Sequence, residues 1–174
     1  MKTTTLLATI ILISGCTISA RNHHFELQPN SASSYDSFSN IWCYTPEDIE
    51  SVQVCSRPYR RTSKYIGIII PIIPQLNRNS RLAYDVVRSR KVQFKNLSPS
   101  ASVVLSDLNG IQLCSGQYSS ECVTTGSLSV DSMSSVWLKI PAGETHPFTM
   151  HVGSSEHRVT LVEFTDSRWH LVSV

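Results

Sequence analysis

"SVVLSDLNGIQLCS", Ser102 to Ser115, decides the fold class of this chain. Two short apolar segments flank Asn109-Gly110, a pair suited to the two positive-φ positions of a type I′ turn. The reading predicts a hairpin joining a strand near Ser102–Leu108 to one near Ile111–Ser115. Similar segments recur on both sides. "SVQVCS", "KYIGIII", "RLAYDVV" and "KVQFKNL" precede it; "SSVWLKI", "PFTMHV", "HRVTLVEF" and "RWHLVSV" follow. Gly143-Glu144, Gly153-Ser154-Ser155 and Asp166-Ser167 separate the later four, which read as an antiparallel meander. No stretch sustains a helical period, and "TPEDIESV" offers at most one helical turn. Eight to ten short strands at this spacing predict an all-β, antiparallel β-sandwich, immunoglobulin-like or transthyretin-like.

The chain has 174 residues, 41% hydrophobic and 16% charged, enough for one sizeable core. Its start, Met-Lys-Thr-Thr-Thr followed by Leu6 to Ile13, is a short positive region before an apolar run of signal-peptide length. The most apolar later stretch, "KYIGIIIPIIP", is too short to span a bilayer. Its Ile residues fit a strand covered on both faces, which Pro71 and Pro74 end because they lack an N–H.

Ile13-Ser14-Gly15-Cys16 resembles the bacterial lipobox, in which an aliphatic and two small residues precede a cysteine that becomes the first mature residue. The resemblance covers only the leader and Cys16. It implies a signal peptide over 1–15 and a diacylglycerol thioether on Cys16, with a further acyl chain on the freed amine. Two or three chains, at about 0.8 kcal/mol per buried methylene, hold a protein on a bilayer. Thr17 stands where Gram-negative lipoproteins kept at the inner membrane have Asp. The resemblance therefore implies the outer membrane, periplasmic face. Residues 16–40, rich in Ser and Asn, are read as a flexible tether spanning about 25 to 30 Å; residues 41–174 are read as the sandwich domain. Phe25, Leu27, Tyr35 and Phe38 favour the alternative, a segment lying along the domain as an extra strand.

With Cys16 lipidated, Cys43, Cys55, Cys114 and Cys122 remain, an even number for an oxidising compartment. Four thiols allow three connectivities. Proximity in sequence favours Cys43 with Cys55 and Cys114 with Cys122. Neither interval has zinc-ligand spacing.

Catalytic motifs are thin. No G-x-S-x-G elbow occurs, and Ser115 sits beside an expected disulfide. His146 and His151, five apart on a strand, fall on opposite faces and make no chelating pair. No phosphate-cradling glycine loop appears. Neither cofactor, metal nor nucleic acid is expected.

Charge is uneven. From Arg57 to Lys95 ten basic residues meet one acid, Asp85, a net of +9, while the rest of the chain after residue 15 carries −8. Either the fold cancels this excess or it leaves a positive face. "RPYRRTSK" concentrates Arg57, Arg60, Arg61 and Lys64 in an expected Pro-containing loop, the candidate contact for anionic lipid, lipopolysaccharide phosphates or an acidic protein partner. The expected function is that of a non-enzymatic, lipid-anchored binding or scaffolding module. An envelope hydrolase with an unrecognised site is the alternative.

Overall fold

In "HFEL", residues 24–27, Phe25 and Leu27 share one face of an extended chain, and both are buried. This segment belongs to strand β1 (Gly15–Gln28), and a turn at Pro29-Asn30 leads into β2 (Ser31–Asp36). The tether expected over 16–40 is therefore two strands. β2 ends its sheet and is exposed along nearly all its length, so its Ser-rich composition is that of an edge strand. Composition alone does not separate such an edge from a coil.

The computed structural model describes the backbone of residues 15–67 and 84–173 and the side chains of 21–62 and 88–167. The fold is all-β. The further strands are β3 (Ile41–Pro46), β4 (Val52–Ser56), β5 (Arg60–Gly67), β6 (Tyr84–Val87), β7 (Lys91–Asn96), β8 (Val103–Ser106), β9 (Gln112–Cys114), β10 (Cys122–Thr124), β11 (Ser127–Val130), β12 (Ser134–Lys139), β13 (Thr145–Val152) and β14 (Ser155–Ser173).

Two compact units result. The larger comprises His23–Tyr59 and Arg88–Phe164. In it, one antiparallel sheet runs β10-β9-β12-β7-β4-β3-β2 and the other β11-β8-β13-β14-β1. Alternation fills the space between them. Val52, Val54, Val92, Phe94 and Leu138 come from the first sheet; Phe25, Leu105, Phe148, Met150 and Leu161 come from the second. β1 is also pinned by a hydrogen bond, its Phe25 N–H donating to Ser56 Oγ of β4 at 2.9 Å. The smaller unit, residues 1–22, Arg60–Val87 and 165–174, includes the antiparallel pair β5 and β6, with Arg60 opposite Val87 and Ser63 opposite Tyr84. Most of "KYIGIIIPIIP", from residue 68 onward, lies outside the described residues.

Both disulfides form as proximity favours. Each joins residues directly opposite in neighbouring antiparallel strands, Cys43 with Cys55 across β3 and β4 and Cys114 with Cys122 across β9 and β10. The "TPEDIESV" segment is two successive turns, Ile49 N–H donating to Pro46 O and Val52 N–H to Ile49 O.

The expected hairpin at Asn109-Gly110 does not form, because β8 and β9 lie in different sheets. Asp107 takes φ 59° and its carboxylate accepts a hydrogen bond from Thr149 Oγ1 at 2.8 Å, which turns the chain out of β8 before Asn109. Leu108 and Ile111 then insert into the core around a β-turn closed by Ile111 N–H to Leu108 O, with Gly110 at φ 75° in its third position. The two-residue hairpin is at Gly153-Ser154 instead, where Val152 faces Ser155 and Gly153 takes φ 62°. Asp166-Ser167 also breaks nothing, since β14 runs through it.

Candidate functional site

"RSRK", Arg88 to Lys91, places three cations in four residues, and the fold sends them to different tasks. Arg90 is neutralised. Its Nη1 donates to Glu163 Oε2 at 3.1 Å and its Nη2 to Gly143 O at 2.8 Å. The guanidinium lies 5.0 Å from the Phe25 ring centroid and 4.8 Å from that of Tyr59, with the second Glu163 oxygen 3.3 Å from His23 Nδ1. Burial alone raises the Glu163 carboxyl, but the Tyr59 hydroxyl, Arg90 and His23 outweigh it and hold the group below its ordinary value.

Arg88 and Lys91 remain without carboxylate partners among the described residues, and so does Arg57. The three share a cleft of about 390 Å³ with Pro58, Ser89, Gln117, Tyr118 and Trp137. Local bonds build its walls. Tyr59 N–H donates to His23 O, and Arg88 N–H to Tyr59 O, which lays segment 57–59 beside 88–90. Trp137 projects from the outer face of β12, opposite Gln93 of β7 and Cys114 of β9, while its neighbour Leu138 is in the core.

The third wall is the loop 115–121, closed at its base by the Cys114–Cys122 disulfide. By alternation with Val92 and Phe94, Lys91 belongs to the outer face of β7, yet it is buried because this loop covers it. Its ammonium donates to Gly116 O at 2.9 Å and Ser119 O at 2.6 Å. Burial, and secondarily the Lys139 charge directly across the ladder, pull the Lys91 pKa below its ordinary value. Arg57 is half-buried, and its Nε has no hydrogen-bond partner. A cleft of this kind, with three cations and no acid on its walls, favours an anion.

Of the four basic residues singled out in "RPYRRTSK", only Arg57 lines this cleft. Arg60, Arg61 and Lys64 are on β5 of the smaller unit, a strand where a loop is expected, because Arg60 to Ser63 pair with β6. Arg60 and Arg61 are exposed; the Lys64 side chain lies outside the described residues. Cys16 falls within β1, its side chain likewise undescribed. Arg88 and Lys91 fall within the basic segment from Arg57 to Lys95 but outside the four residues singled out, and Tyr118 and Trp137 were not foreseen. The density of cations in "RSRK" was the available signal for the first two; nothing in the sequence marks the aromatic pair.

For the hydrolase alternative, Ser106 Oγ lies 2.9 Å from His151 Nε2 on the outer side of β8 and β13, while His146 turns into the core. Glu156, opposite His151 in register, makes no ion pair with it among the described residues. Among the described residues no three His, Cys, Asp or Glu side chains converge on a metal position, and no helix is long and apolar enough to cross a membrane. No family model, curated protein or solved structure matches this chain.

Proposed function

We propose that this chain is a non-enzymatic lipoprotein, anchored through acylated Cys16 to the periplasmic face of the outer membrane, whose sandwich holds an anionic envelope component, a lipid, lipopolysaccharide or acidic protein. The lipobox-like Ile13-Ser14-Gly15-Cys16 supports the anchor. The cleft carries the binding role: Arg57, Arg88 and Lys91 converge on it with no carboxylate among its lining residues. Two disulfides across sheet ladders suit an oxidising compartment and keep such a site rigid.

Crosslinking in intact envelopes tests this reading. The expected result is one envelope component captured in stoichiometric amount by the wild type, and its loss when Arg57→Gln and Arg88→Gln are combined. Equal capture by both forms contradicts the assignment of the cleft. The Ser106–His151 contact keeps the hydrolase alternative specific. Covalent labelling of Ser106 by a fluorophosphonate, abolished by His151→Ala, would establish it in place of the binding role.

A further inference from the structure

We infer that the cleft between Arg57, Arg88, Lys91, Tyr118 and Trp137 binds a phosphorylated sugar. The inference rests on the binding role proposed above and names the ligand class. A bare anion would need only the cations. Here Trp137 and Tyr118 add flat apolar faces, and Tyr118 stands 86% exposed on a loop that is otherwise tied down. Ser89 and Gln117 add neutral donors and acceptors suited to hydroxyl groups. The volume, about 390 Å³, falls in the range of small-molecule sites and matches one or two sugar rings rather than an extended polymer.

The cations divide the work. Arg88 is exposed at the rim, able to meet a phosphate in two-point geometry. Arg57 adds a second guanidinium to the lining, half-buried and without a carboxylate partner among the described residues. Lys91 spends two of its three ammonium protons on Gly116 O and Ser119 O, which leaves one for a ligand oxygen and couples the position of the Tyr118 loop to the charge beneath it. An acidic peptide would use the same charges but has no use for two aromatic faces flanking them. Phosphate and ring together account for both.

Calorimetric titration of the full chain with glucose 6-phosphate, glucose, inorganic phosphate and adenosine monophosphate tests this. Glucose 6-phosphate is expected to bind about tenfold more tightly than either glucose or inorganic phosphate. Arg57→Gln with Arg88→Gln should weaken it by about tenfold or more. Tyr118→Ala, at a side chain too exposed to matter for folding, should weaken glucose 6-phosphate about threefold to tenfold and leave inorganic phosphate unchanged. Equal affinity for inorganic phosphate and glucose 6-phosphate would overturn the sugar while leaving an anion-binding cleft. Tighter binding of adenosine monophosphate would replace the sugar with a nucleotide. No binding of any of the four would overturn both this inference and the binding role of the cleft.

Discussion

Gly143 shows how much one residue can carry. Its carbonyl accepts from Arg90 Nη2, the His146 imidazole lies 3.2 Å from the same oxygen, and its φ is 140°. A Cβ there would stand 3.1 Å from His146 Cε1, tighter than ordinary contact. Gly143→Ala should cost about 1 to 3 kcal/mol, read as a lower urea midpoint; an unchanged midpoint would show that the loop relaxes freely. His146 makes a second expectation. Burial depresses its pKa first of all, the Gly143 carbonyl opposes, Arg90 depresses it further and Glu163 opposes. A depressed histidine binds fewer protons in the native state, so its contribution is complete above about 6.5 and is lost as pH falls through the lowered value. Stability should therefore drop as pH falls below about 6.5, and His146→Gln should flatten that slope. Glu26, which burial raises despite the Tyr44 hydrogen bond, acts with the opposite sign, its contribution lost as pH rises. Only the difference between wild type and variant isolates His146, and identical slopes would contradict its role.

Among the elements, legibility followed burial. β4 and β7 announce themselves because inward Val52, Val54, Val92 and Phe94 alternate with Gln53, Gln93 and Lys95, as a strand solvated on one face must. β2 does not, since an edge strand with exposed Ser residues carries no such pattern. β8 and β9 mislead for another reason. Asn109-Gly110 has the chemistry of a hairpin, but Asp107 in the left-handed region breaks the strand first, and no local rule weighs the two. β1 is the sharpest case: a segment that reads as tether supplies Phe25 and Leu27 to the core. Phe25→Ala should cost about 3 to 5 kcal/mol in urea unfolding, whereas a true tether would show no change. The Cys114–Cys122 bond closes a separation of 8 residues, worth about 2 to 3 kcal/mol in the chain-entropy model. Replacing both cysteines by Ser should keep the sheets by circular dichroism yet weaken ligands of the cleft, because Gly116 and Ser119 would no longer be held over Lys91. Undiminished affinity would separate the loop from the site.

For the molecule as a whole, the uneven charge resolves unequally. Arg90 is absorbed by Glu163, while Arg57, Arg88 and Lys91 have no carboxylate partner among the described residues and line one cleft. The sequence marks the basic segment but not which members the fold cancels, because partners such as Glu163 lie 73 residues away. An anchored domain with such a face is attracted to anionic head groups by about 1 kcal/mol per nearby cation, within a Debye length of roughly 8 Å at physiological salt. In the proposed account, acylated Cys16 holds the chain at a membrane, with the cleft as its binding site. Intact-mass analysis of the protein extracted from bacterial membranes tests that account most directly. It predicts a mature chain beginning at Cys16 with diacylglyceryl and acyl mass on its first residue, absent from Cys16→Ser, which should leave the membrane fraction; a membrane-bound chain without acyl mass, or one beginning at another residue, would contradict it.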